Sequence, residues 1–232
     1  MAYDTDEFRG RYRAAIHPFY SAWLHGGFVA LFAAAGLGWF ASRIADVQPL
    51  EWLAVPAAAV VFSWGEYTVH RSLGHRKHPL GKLFYKRHTG DHHSFFVSTR
   101  MPYEESRDFR VILFPAWLVV IYTGGLALPA YALLGLWNAN VGALVATTLL
   151  GFYLLYEFLH TTQHLPDSNP LTRLPWIRHM RRHHQIHHRR GLMTTKNFNL
   201  VLPLMDVLCG TLEWDPDGLE PHAPSETADT AV

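Results

Sequence analysis

The chain has 232 residues, of which 49% are hydrophobic and 17% charged, against roughly 25% charged in an ordinary soluble domain. That composition excludes a disordered chain, and 20 Lys plus Arg against 19 Asp plus Glu leave a net charge of +1, which excludes a basic nucleic-acid binder. The single cysteine, Cys209, excludes an internal disulfide framework and a cysteine-built zinc ribbon.

Residues 1–20 are polar and carry Arg9, Arg11 and Arg13; without an apolar run or cleavage site they read as an N-terminal segment rather than a signal peptide. Ser21–Ser42 then contains no Asp, Glu, Lys or Arg and meets the length of about 20 apolar residues needed to cross a bilayer. Leu50–Tyr67 is a second candidate span, with Glu51 and Glu66 near its ends. Val111–Trp137 is apolar throughout and contains Pro115, Gly124, Gly125 and Pro129, which predicts a bent span over about 111–135. Asn138–Tyr156 follows, again uncharged, as a span over about 138–157. The expected fold is therefore all-α and integral to the membrane, with four transmembrane helices in two hairpins and a histidine-rich helical cap. A domain of 21–214 carries the spans and histidine blocks 70–93 and 160–188, and a Pro-, Ala- and acid-rich flexible tail of 215–232 follows.

Positive charge sets the orientation. Arg9, Arg11 and Arg13 precede the first span; Arg71, Arg76, Lys77, Lys82, Lys86 and Arg87 follow the second; Arg173, Arg178, Arg181, Arg182, Arg189 and Arg190 follow the fourth. The other two connections carry almost none, so both termini and both histidine blocks are expected on the cytoplasmic side, of a bacterial inner membrane or an endoplasmic reticulum membrane. A hairpin followed by a histidine block thus occurs twice.

Histidine is the anomalous residue, at 16 in the chain. The first block holds His70-x4-His75 and His88-x3-His92-His93; the second holds His160-x3-His164 and His184-x2-His187-His188. His160 and His164 fall one helical turn apart on one face, an arrangement that chelates a metal. Ten motif histidines exceed the three or four ligands of one zinc site, so two metals are the economical reading. Imidazole alone suits Zn, Cu, Fe or Ni, whereas a two-metal site at a membrane face within reach of acyl chains suits oxygen activation at iron better than hydrolysis. His17, His25 and His222 lie outside the motifs and are assigned surface, packing and tail roles. His78, His179 and His183 lie inside the blocks but out of register, and HMRRHH competes with HHQIHH for the last motif; HHQIHH is preferred because it leads into Asn197–Phe198.

HRSLGH, HTGDHH, HTTQH and HHQIHH, in this order on this hydropathy plan, resemble the integral-membrane fatty acid hydroxylase/sterol desaturase superfamily, with spacing most similar to its fatty acid 2-hydroxylase branch. The resemblance covers about Glu66 to Trp214. It implies a membrane lipid monooxygenase whose two iron ions, replaceable by zinc in a purified protein, use dioxygen to hydroxylate an acyl chain. The implied ligands and catalytic residues are His70, His75, His88, His92, His93, His160, His164, His184, His187 and His188. With no cytochrome b5 domain fused to the chain, the expected electron donor is a separate protein of ferredoxin or cytochrome b5 type. The same resemblance admits a desaturase, a sterol-methyl oxidase, a carotenoid hydroxylase or an ether-lipid monooxygenase. A zinc-dependent hydrolase is disfavoured by the lack of an HExxH motif, and a metal transporter by the lack of ionisable residues within the spans.

Imidazole ligands need the second ring nitrogen held by an acceptor, and Glu66, Asp91 and Glu157 are the candidates for that role, Glu66 favoured by the EYxxHR resemblance; Asn197 and Asp206 are candidates to close the site from the C-terminal segment, and each of the five has a cap or surface charge as the alternative. Trp23, Phe28, Phe32, Trp39, Trp52, Phe62 and Trp64 are candidates to line an acyl tunnel, with lipid-facing and interfacial roles favoured for most of them. Arg71, Lys82, Lys86 and Arg87 are candidates to meet lipid headgroups or a donor protein, although orienting charge is explanation enough for them.

Overall fold

The computed structural model describes residues 4–214, which are helical with no named strand; the expected tail and His222 lie outside the described residues. The N-terminal segment forms α1 (Thr5–Ala14), started by the Asp4 carboxylate accepting from the Asp6 and Glu7 amides. Acidic residues in its first turn and Arg11 and Arg13 in its last complement the helix dipole.

Three helices are long and apolar enough to cross a membrane: α2 (Ala22–Ala41), the stretch Ser106–Gly135, and α6 (Ala139–Gln163). The Ser21 and Asn138 side chains cap α2 and α6. Ser106–Gly135 is bent at Leu113–Pro115, as its proline predicts, and then runs as α4 (Trp117–Tyr122), a π-helical turn over Thr123–Ala127 and α5 (Leu128–Gly135). The second expected span is shorter than the others: a 3-10 turn, Pro49–Leu53, leads into α3 (Ala54–Val69) of 16 residues.

Helix α6 is the axis of the molecule, packing against α2, α3, α5 and α7 (Pro175–His187). Its apolar half meets Val29, Ala33, Phe40 and Val119 through Ala146, Leu150 and Tyr153. The outward faces are strongly apolar, with Trp23, Leu31, Val61, Ile121 and Leu133 exposed, the surface expected of helices in hydrocarbon. At one end, Glu51 accepts from Asn138 Nδ2 at 2.6 Å and Asn140 Nδ2 at 2.9 Å, tying the two connections together. At the other end α3 and α6 deliver His70 and His160 into a buried cap built from both histidine blocks.

Candidate metal centre

All ten motif histidines are buried and converge at the charged end of the bundle. They form two sets. Ring nitrogens of His70, His75, His88, His93 and His187 lie within 4.8 Å of one another, as do those of His92, His164, His184 and His188. His160 adjoins the second set, its Nε2 3.2 Å from that of His92.

Local helix geometry sorts the rings. The pairs His70/His75 and His88/His93 are five residues apart and ride on π-helical turns, His70–Gly74 and Lys86–His92, whose wider coil returns to the same face after five residues. Both pairs enter the first set. His160/His164 and His184/His188 are four apart at the ends of ordinary α-helices, α6 and α7, and serve the second. His92, within the π-turn, faces the second set, and His187 on α7 faces the first.

The outer ring nitrogens are held mainly by main-chain carbonyls. Nδ1 of His70 donates to Phe198 O at 2.5 Å, of His187 to Lys196 O at 2.8 Å, of His188 to Phe96 O at 2.6 Å, of His164 to Met101 O at 2.9 Å, and of His92 to Val111 O at 3.2 Å. His75 Nδ1 donates to Thr89 Oγ1, which passes its own proton to Gly74 O. A carbonyl only accepts, so these rings carry hydrogen on Nδ1 and aim the Nε2 lone pair inward. Nε2 atoms then face one another at 2.7 to 3.2 Å within the first set and at 3.0 to 3.2 Å within the second. Two lone pairs at that distance repel unless a cation lies between them. Cis ligands on a metal at about 2.1 Å are separated by about 3.0 to 3.4 Å, so the donor set fits a bound transition metal. Burial and neighbouring imidazoles hold the rings neutral, as ligation requires: His70 is pushed down to about 4, His75 to about 2, and His88, His93, His164, His184, His187 and His188 well below the usual histidine range.

Glu66, Asp91 and Glu157 bond to groups other than a ring nitrogen, and Asn197 and Asp206 brace the C-terminal segment. Glu66 accepts from the Leu200 and Val201 amides and Asn199 Nδ2, and Asp206 from the Phe198 and Asn199 amides, so both pin the segment whose carbonyl holds His70. That segment lies between the carboxylates and the rings, which is why helical spacing from Glu66 to His70 does not become a contact. Asn197 holds His183 O and both main-chain groups of Glu213. Glu157 accepts from Tyr153 Oη and the Phe114 amide, fastening the bend to α6, and Asp91 pairs with Lys86 at the surface.

Of the remaining histidines, His183 is buried outside both sets with neither ring nitrogen hydrogen-bonded, and burial pushes it down to about 3; its 3.6 Å approach to Asp206 is therefore a contact of a neutral ring. His179 stacks on Trp214 and Trp176, His78 caps a short turn, His17 caps the Phe19 amide, and His25 bridges Tyr20 Oη and Phe114 O.

A largely apolar cavity of about 240 Å³ reaches the metal centre, its floor formed by His88, His92 and His160 and its walls by Phe84, Ile112, Leu113, Phe114, Leu118 and Tyr156. The seven aromatics weighed as tunnel candidates are absent from its walls; Trp23, Trp39, Trp52 and Trp64 are exposed on the bundle surface, in keeping with the favoured lipid-facing reading. The cavity is made by the bend at Pro115 and the first π-rich block, features that periodicity in the spans does not register. Arg87 also lines it and donates to the Arg110 and Leu113 carbonyls, while Arg71 donates to Tyr67 Oη.

No curated protein and no solved structure matches the chain. The family model described as Fatty acid hydroxylase matches residues 55–211, which include all ten histidines and the carbonyls that aim them. The chain belongs to the fatty acid hydroxylase family, within the fatty acid hydroxylase/sterol desaturase superfamily.

Proposed function

We propose that this protein is a membrane lipid monooxygenase of 2-hydroxylase type, with one iron ion in each histidine set: His70, His75, His88, His93 and His187 for the first, and His92, His160, His164, His184 and His188 for the second. The observation that carries this reading is the cavity, whose apolar walls end on His88 of the first set and His92 and His160 of the second. A hydrocarbon chain placed there is desolvated along its length, and its reacting methylene lies beside both ions. Bound iron supplies the dioxygen chemistry that oxidises an unactivated C–H bond. One oxygen atom enters the lipid and the other leaves as water, with two protons and two electrons from a separate donor of ferredoxin or cytochrome b5 type.

The chain's own residues keep the rings neutral, aim their lone pairs and exclude water from the cavity. Four membrane crossings accompany this function. Glu51 and Asn138 meet at one end of the bundle, and His70 and His160 at the other, so α3 with its leading 3-10 turn covers the same depth as α6. Arginines and lysines at the histidine end support a cytoplasmic location for that end.

The test is a lipid mass-spectrometric comparison of cells expressing the wild type or His160→Ala under ¹⁸O₂. The expected result is a lipid that gains one labelled oxygen with the wild type and none with the variant. Loss of two hydrogens without label makes the protein a desaturase instead, and an unchanged lipid profile with metal-loaded protein overturns the oxygenase reading.

A further inference from the structure

Helix α1 lies outside the matched stretch 55–211, yet it contributes the one buried Arg or Lys among the described residues: Arg9, 1% exposed. Its guanidinium reaches three main-chain carbonyls of a single segment. Nε donates to Phe95 O at 2.8 Å, and Nη2 donates to Arg100 O at 3.0 Å and Pro102 O at 3.4 Å. Nη1 pairs with Glu104 at 2.6 Å, and the guanidinium carbon lies 4.7 Å from the Phe95 ring centroid and 5.4 Å from that of Phe96.

The same segment offers its intervening carbonyls to the metal centre. Phe96 O accepts from His188 and Met101 O from His164, while the Tyr103 amide donates to His164 O. Carbonyls of residues 95 and 96, and of 100, 101 and 102, are thus divided between Arg9 and two rings of the second set. The first set leans elsewhere, on Phe198 O, Lys196 O and Thr89. A buried carbonyl that loses its donor is destabilised until the chain moves to find another, and any movement of this segment turns the two rings.

We propose that Arg9 is a positioning residue for the second histidine set alone, fixing the carbonyls that aim His164 and His188 and so controlling one of the two metal positions. The proposal rests on each set holding an ion, as in the function proposed above. Its test counts metal and does not read lipid oxidation, so a protein of different activity leaves the outcome legible.

Full-length protein in detergent is loaded anaerobically with iron(II), freed of excess, and its bound iron per chain measured. Arg9→Gln is expected to fall from two ions to one, while Arg11→Gln, altering an exposed residue of the same helix that pairs with Glu7, keeps two. Combined with His187→Ala, which removes a first-set ligand, Arg9→Gln is expected to leave the chain without tightly held iron. Combined with His184→Ala, it is expected to cause no further loss. Arg9→Lys keeps the charge but reaches fewer carbonyls, and is expected to hold between one and two ions. Two ions in Arg9→Gln, or loss of both from folded protein, overturns the proposal; if Arg9→Gln does not fold, two ions in Arg9→Lys overturns it.

Discussion

Asn197 stands at φ 58°, in the left-handed region where a β-carbon is costly, and between two carbonyls, Lys196 O and Phe198 O, that aim His187 and His70. Asparagine tolerates this conformation, and here its amide also secures His183 O and Glu213. Asn197→Gly and Asn197→Ala lose the same hydrogen bonds, but alanine adds a backbone penalty of about 1 kcal/mol, so thermal unfolding is expected to rank alanine below glycine. The reverse order would show that this turn is not under the constraint its φ implies. At this scale the sequence displays which residue types gather at the site, because ten histidines in four spaced motifs have few roles outside metal binding. It does not display their partition, since an α-helical template pairs His88 with His92, whereas the π-turn pairs His88 with His93. Nor does it display the acceptors, because a main-chain carbonyl has no residue type to read.

Among the elements, α6 is the most constrained. A β-carbon on Gly142 would lie 2.6 Å from Tyr131 O and 2.8 Å from Gly135 N, both backbone atoms of α5. Gly142→Ala must therefore separate two helices, and is expected to destabilise the protein by about 1–3 kcal/mol, seen as a lower unfolding midpoint in detergent. Gly36→Ala is the internal comparison: its β-carbon would meet only Leu150 Cδ2, the movable end of a side chain, and a smaller loss is expected. Equal midpoints for the two variants would contradict the close α5–α6 approach. Three of the four uncharged stretches overlap helices long and apolar enough to cross a membrane, and the bend falls at Pro115; the remaining stretch, Leu50–Tyr67, gives the shorter α3. Helix α1 is harder to read as an element because its apolar pattern is weak; its signal is the Asp4 cap with acids in the first turn and bases in the last.

For the whole molecule, the proposed sidedness has a built-in reporter. Cys209 is the chain's one cysteine and is exposed, just beyond the segment that closes over the first histidine set. A membrane-impermeant maleimide is expected to label it in inverted vesicles and to spare it in right-side-out ones; labelling in the opposite preparation alone would invert the topology. The proposed orientation draws on charge segregated along the chain, whereas the cavity is not legible in the sequence, being made by packing between segments far apart in it, Leu80–His92, Val111–Leu118 and Tyr156–His160.

The reliance on carbonyl acceptors bears on how the site tolerates change. No side-chain replacement at Phe96, Met101, Val111, Lys196 or Phe198 deletes the oxygen that aims a ring, because every amino acid brings the same oxygen. Cavity-facing side chains such as Leu113 can therefore be exchanged while ligand aim is preserved, whereas a one-residue insertion or deletion in 96–101 or 196–198 shifts both acceptors of that segment at once. Under the proposed function, engineering of chain-length preference belongs in point substitutions of the cavity wall, and the lengths of these two segments are best left untouched.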